Sequence, residues 1–258
     1  MNQILVTEKL YITPELKRKK KVYKFHFILS VFLVCILTSM YIYAEYDRNK
    51  SEAVSQEILE EMNEKIANAT QEDTTIAKND ILLVVLNGTQ EDYDSIEGLG
   101  KNETSISEAI LQSKVETSPS GYQYRTIARI VIPKIGVDYP VLQGETGSAE
   151  ETEALLRNSP VKYHGEDPNE VGNFCIVAHN YRNSRFFSKV KTLVVGDTIQ
   201  LTDLTGRTIT YSVYDKHTVD PSDTRDTTQL TGGKKEVTLI TCTDDSQARI
   251  VVKCKEVK

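Results

Sequence analysis

The chain is short of the features that most often announce a function. It has no CxxC pair: its four cysteines, Cys35, Cys175, Cys242 and Cys254, stand apart from one another and from any histidine cluster. A zinc site is therefore not expected. It has no excess of positive charge, since 31 Lys and Arg face 37 Asp and Glu for a net charge of −6. That argues against nucleic acid as a partner. There is no glycine-rich phosphate loop and no internal repeat, and nothing implies an organic cofactor. What remains is an ordinary globular balance, 39% apolar and 26% charged over 258 residues. That balance excludes wholesale disorder, collagen and coiled coil.

The average hides three differently charged stretches. Residues 1–24 hold seven Lys/Arg and two acids, residues 45–125 seven and seventeen, residues 126–258 seventeen and eighteen. Between the first two lies Phe25–Ala44, FHFILSVFLVCILTSMYIYA, with no Asp, Glu, Lys or Arg. Twenty helical residues rise roughly 30 Å, the thickness of a bilayer's hydrocarbon core. The run KRKKK (Lys17 to Lys21) and Lys24 precede it, and acids dominate after it. Basic flanks stay in the cytoplasm. The expectation is a cytoplasmic tail over 1–24, one transmembrane helix over 25–44, and the remainder outside the cell membrane. Tyr41, Tyr43 and Tyr46 suit the outer interface. A cleaved signal peptide is the rival reading, but the apolar run is too long for a signal core and no A-x-A site follows. Cys35 would then sit in lipid as a small apolar residue.

Residues 45–121 read as a partly helical extracytoplasmic stalk. In Ser51–Ala69, Val54, Ile58, Met62 and Ile66 recur every four residues, which puts one apolar stripe on an acidic helix. Ser51 suits the N-cap and Glu52 the first turn. A solvated helix packing weakly on the next domain and a partner-binding helix both fit. The run Ile81–Leu86 fits a strand or a helix, and periodicity does not decide. Gly, Ser, Asn, Thr and acids then prevail to Tyr122, and SPSG (Ser118 to Gly121) marks the expected domain boundary.

Residues 122–258 are long enough to bury a core without staples. They read as short strands rich in β-branched residues: Ile127–Ile132, Val137–Leu142, Phe174–Ala178, Thr198–Leu201, Thr208–Tyr214, Val237–Thr241 and Ile250–Lys255. Helix is expected over Glu150–Arg157 and a further turn near Phe187–Leu193. Many short strands with few helices imply a sandwich or barrel.

Cys242 ends one strand and opens a polar loop, and Arg249 begins the next, so a hairpin would place the two side by side. A cysteine nucleophile needs a thiolate, a proton donor for the leaving group and a donor to the oxyanion. Arg249 stays charged and offers five N–H groups. His179, at the end of NFCIVAH, is the best proton carrier, with His164 the first alternative and His217 a bystander. For Arg249 the competing reading is a surface ion pair with Asp244 or Asp245.

The segments GNFCIVAH (Gly172 to His179), GDTIQL (Gly196 to Leu201) and TLITC (Thr238 to Cys242), with Arg249 seven positions later, resemble the sortase family. IPKIGVDYPVL (Ile132 to Leu142) resembles the start of that domain. One departure is Ala178, where many members have Gly before the histidine. The resemblance implies a closed eight-stranded β-barrel with short helices, and a membrane-anchored cysteine transpeptidase of Gram-positive surfaces. Cys242 would attack the Thr carbonyl of an LPxTG-like sorting signal and form a thioacyl-enzyme. His179 would protonate the leaving fragment, and Arg249 would hold the substrate or oxyanion. Thr241 would add a substrate hydrogen bond or serve as a plain strand residue. Partners would be LPxTG-like surface proteins and an amine acceptor, such as a peptidoglycan precursor or a pilin lysine. The 22 residues from Asp215 to Glu236 are short for a B-class insertion, which favours an A- or D-like member. No aspartate-aromatic lid motif is evident, although residues 76–121 leave room for an unusual lid. The acids Glu150, Glu151, Glu153, Asp167 and Glu170 fit either a solvated surface or the calcium sites of some relatives. Cys175 and Cys254 read as buried thiols or a mutual disulfide. A peptidase that only hydrolyses and a non-catalytic binding module on a stalk are the alternative functions.

Overall fold

The computed structural model describes residues 14–87 and 105–257. The expected linker and any lid over 88–104, and the first half of the basic tail, lie outside the described residues. The chain divides into two compact units, residues 1–50 and 51–258. In the first unit the chain is helical from Pro14, the start of helix α1 (Pro14–Asn87). Phe27, Leu37 and Tyr43 are among its exposed large apolar side chains. It is long and apolar enough to cross a membrane, and an apolar surface all round a helix asks for lipid.

In the second unit α1 continues without a break. Ser51 is an interior helical residue rather than a cap, because nothing between Glu45 and Lys50 breaks a helix. Ile81–Leu86 belongs to the same helix. Of the stripe expected to pack weakly, Val54 and Ile66 are partly covered and Ile58 and Met62 are sealed, Met62 to 1% exposure, so that the buried face is Ser55, Ile58, Leu59 and Met62. These positions follow i, i+3, i+4 and i+7, the spacing of a helix face pressed on a neighbour. Ile58 joins Tyr124, Leu142, Leu155, Leu156 and Val161 in one apolar cluster. Ser55 Oγ lies 3.0 Å from Ser159 Oγ, and the Arg129 guanidinium donates to Asn63 at 3.3 Å. The packed body also reaches back before residue 122. Helix α2 (Ile106–Gln112) sends Ile106 and Ile110 into the main core, and β1 (Glu116–Thr117) pairs with the next strand.

The remaining strands are β2 (Gln123–Ile132), β3 (Val137–Gly144), β4 (Val161–His164), β5 (Gly172–Val177), β6 (Thr198–Asp203), β7 (Thr208–Val219), β8 (Lys235–Cys242) and β9 (Arg249–Glu256). Their order is β1-β2-β3-β4-β5-β8-β9-β7-β6, and β6 pairs back onto β2. With the two-residue β1 set aside, eight strands close a barrel, as the family resemblance implied. β3–β4 and β5–β8 are parallel and the other pairs antiparallel, so the barrel is mixed. Its interior holds Ile127, Ile130, Phe174, Ile176, Leu201, Tyr211, Leu239, Val252 and their neighbours. Helix α3 (Ala149–Leu156) lies within one residue of expectation, and a 3-10 turn at Val190–Thr192 falls inside the expected Phe187–Leu193.

Glu151 departs from the expected solvated surface. It is buried, and its carboxylate accepts the N–H groups of Glu145, Thr146 and Gly147 at 3.1, 3.0 and 2.7 Å. Ser148 Oγ caps α3 by accepting from the Glu151 N–H at 3.2 Å, while the Ser148 N–H goes to Thr146 Oγ1 and the Glu151 carboxylate serves the loop before the cap. Gly144 is required beside it, since a Cβ there would fall 2.2 Å from Glu151 Oε2.

The buried stripe of α1 carries a test. Met62→Ala should destabilise residues 51–258 by about 2–4 kcal/mol, whereas the exposed Glu60→Ala should change little. Urea denaturation followed by circular dichroism measures both. Equal stability of the two variants would return this helix to a solvated stalk.

Candidate active site

Three strand ends meet at one edge of the barrel. β8 and β9 are antiparallel, and their last pair is Cys242 opposite Arg249. β5 runs parallel to β8 in a register that sets Val177 beside Ile240. The pairing continues past β5, because the Ala178 N–H donates to the Ile240 carbonyl at 3.2 Å. His179 is thereby carried to the level of Cys242, across 63 positions of sequence.

Thr241 is buried beside the strand that carries His179. Its buried hydroxyl donates to the Ala178 carbonyl at 2.8 Å, which ties the strand ends carrying His179 and Cys242 together. Asn180, which gave no sequence signal, makes a second tie. Its amide donates to the Cys242 carbonyl and to Asp244 Oδ1, both at 3.0 Å. Asp244 also meets Lys191 Nζ at 2.6 Å, and Asp245 accepts from the Thr243 hydroxyl and the Gln247 N–H. Both acids offered as ion-pair partners of Arg249 are therefore engaged elsewhere. Among the described residues no carboxylate pairs with Arg249, and its guanidinium donates only to the neighbouring Ala248 carbonyl at 3.3 Å.

His179 is three-quarters covered, at 26% side-chain exposure, and its ring lies 5.1 Å from that of Tyr181. Burial, with a smaller push from Arg157, lowers its pKa below the usual 6.5; Glu153 opposes this from 3.9 Å. The proton is thus held loosely, as suits a group that must surrender it. Cys242 is a free, half-exposed thiol.

The other candidates fall away by position. His164 lies opposite Cys175, itself beside Thr238. That level is four residues short of Cys242, roughly 13 Å along the strand. His164 lines an open cleft of about 450 Å³ between the β3–α3 loop, β4 and Gln229. His217 is bound between Asp215 at 3.0 Å and Asp226 at 2.8 Å, and Asp226 foremost raises its pKa. Cys175 and Cys254 sit on β5 and β9, either side of β8, so roughly 10 Å of sheet separates them. Cys254 faces the barrel interior and Cys175, one register step away, the other face. Both are free thiols, and this geometry excludes the disulfide.

Residues 130–257 match the family model described as the sortase domain. No curated protein matches the chain significantly. Among solved structures it is similar to a sortase D5 transpeptidase of Clostridium perfringens, 28% identical over 65% of this chain and 95% of that one, with a TM-score of 0.48. It is similar to sortase C-1 of Actinomyces oris, 27% identical over 51% and 73% with a TM-score of 0.44. A lid mutant of sortase A from Corynebacterium diphtheriae is 24% identical over 62% and 82%, with a TM-score of 0.46. The stretch matched by the family model is the same barrel on which the TLITC-to-arginine pattern falls at a strand edge. The domain formed by these residues belongs to the sortase family.

Proposed function

We propose that the chain is a membrane-anchored transpeptidase that cuts an LPxTG-like sorting signal and joins the released carbonyl to an amine. A sortase domain implies a cysteine transpeptidase acting on sorting signals and amine acceptors, in surface-protein anchoring or pilin linking. The finer assignment rests on the residues. The observation that carries it is the guanidinium of Arg249, directly across the ladder from Cys242 and without a carboxylate partner among the described residues. A half-buried cation left unpaired is poised for an oxygen that arrives with the substrate.

In the proposed cycle the Cys242 thiolate attacks the Thr carbonyl carbon. Arg249 holds the developing oxyanion. The bond to the Gly nitrogen breaks, and the His179 imidazolium gives that nitrogen its proton. A thioester to Cys242 remains. The acceptor amine attacks it, passes a proton to His179, and expels the thiolate as a new amide forms. Thr241 and Asn180 position the two reacting side chains rather than touch the substrate. The basic run before the apolar helix favours a cytoplasmic N-terminus, with the barrel outside.

The test is incubation with LPxTG-like peptides, with and without oligoglycine or a peptidoglycan stem peptide, read by mass spectrometry. An amine-dependent ligated product is expected, and Cys242→Ala should lose it by at least about a thousandfold. Cleavage that no amine diverts would favour the hydrolase. No thioacyl adduct on Cys242 across the panel would favour the binding module. Arg249→Lys should lower kcat/KM by roughly 100- to 1000-fold, because a point charge does not replace the guanidinium fork.

The pH profile follows from the neighbours of His179. The reacting microstate has the proton on His179 and none on Cys242, so its population grows when the imidazolium is favoured. Glu153→Gln removes a charge that favours the imidazolium. The acid limb of kcat/KM should move to lower pH by roughly a few tenths of a unit, and the maximum should fall. Arg157→Ala should move both the opposite way. Identical profiles for the two variants would remove His179 from the titrating pair.

A further inference from the structure

The loop that follows His179 is built under strain and then braced. Within Asn180–Ser188, Arg182 and Phe186 have positive φ angles of 58° and 45°. Neither is glycine, and a bulky Phe in that region persists only where its surroundings over-determine it. The loop closes on itself, since the Phe187 N–H donates to the His179 carbonyl at 3.2 Å and Asn180 bridges to Phe186. Rings continue the path inward: His179 on Tyr181 at 5.1 Å, Tyr181 on Phe186 at 5.5 Å, Phe186 on Tyr139 at 4.9 Å. Phe186 is fully buried.

The outer brace comes from the N-terminal helix. Glu52 of α1 lies 2.5 Å from Arg185 Nε, in the middle of this loop, and Arg185 is only 16% exposed. The same carboxylate is 3.5 Å from the Tyr139 hydroxyl, so one acid meets both the loop and the ring beneath it. The pair is partly desolvated and two-ended, unlike a surface ion pair of negligible worth. Ser55, Ile58 and Met62, buried along the same face, fix where Glu52 stands. In sequence Glu52 follows the apolar run that ends at Ala44 by eight residues.

We propose that the Glu52–Arg185 ion pair is a positioning device for the proton carrier. The helix segment just beyond the membrane run holds the His179 loop in its strained conformation. This rests on His179 being the proton carrier. Glu52 and Arg185 touch no reacting atom, so they act on the chemical step through His179 and not on substrate affinity.

The experiment uses the full chain in lipid nanodiscs, with ligation kinetics for wild type, Glu52→Gln, Arg185→Met and the charge-swapped Glu52→Arg/Arg185→Glu. Each single variant should lower kcat by about tenfold or more with KM within twofold, because a small misplacement of a catalytic group is costly. The swapped pair should recover most of kcat. Single variants with unchanged kcat, or a loss confined to KM, would overturn the proposal. So would a swap as poor as the singles in a protein that melts like wild type. A wild-type chain inert to every peptide would end the transpeptidase reading and the proton-carrier role with it, leaving the bracing of the loop to be tested by itself. The device would then be judged by hydrogen exchange at the Phe187 amide. Glu52→Gln should speed it about tenfold without touching β8, and unchanged exchange would overturn the brace.

Discussion

Everything at the candidate site depends on one backbone register, the parallel pairing of β5 with β8. Parallel strands cannot be joined by a tight turn. The chain between them therefore makes an excursion of more than fifty residues, through β6 and β7, before β8 returns beside β5. That excursion closes the barrel through β6–β2 and supplies β7 as the outer neighbour of β9. A slip of one residue would turn Phe174 and Ile176 outward and Cys175 inward, exchanging the faces of every side chain on β5. The buried alternation on β5 and β8 forbids the slip, so core packing holds His179 level with Cys242.

The strands were legible because alternation and β-branched residues mark them, and seven of the nine lie where the sequence puts them. The two missed strands are short and carry little of that signal. β1 is two residues, and β4 reads VKYH, with a bulge between Lys162 and His164. The α1 stripe was visible, but its fate was not. An acidic helix with apolar residues every fourth position looks the same in solvent or docked, and only the facing surface of Tyr124, Leu142 and Leu155 decides. Within the site, Cys242 and Arg249 were legible as the two ends of one hairpin. His179 was named from the end of its strand and from the resemblance, but its level beside Cys242 needed a pairing between strands far apart in sequence, which spacing does not encode. Asn180 and Arg185 had no sequence mark, since each acts through an amide or guanidinium aimed at a distant segment.

The four cysteines show how one thiol is set apart. Cys35 lies in the apolar helical run, outside the barrel. Cys175 is fully buried, and burial pushes its thiol up to about 12. Cys254 is buried in the barrel interior and pushed up further by the same cause. A thiol that does not ionise is not a nucleophile. Cys242 differs by its place in the fold. It sits where the ladder ends and the chain turns into the Thr243–Ala248 loop, half-exposed, with Arg249 across the strand. The strand holds its backbone as firmly as any core residue, through Thr241 on one side and Asn180 on the other. The same barrel edge thus gives the sulfur access to solvent and denies its backbone freedom to move, and a nucleophile attacking a fixed carbonyl needs both.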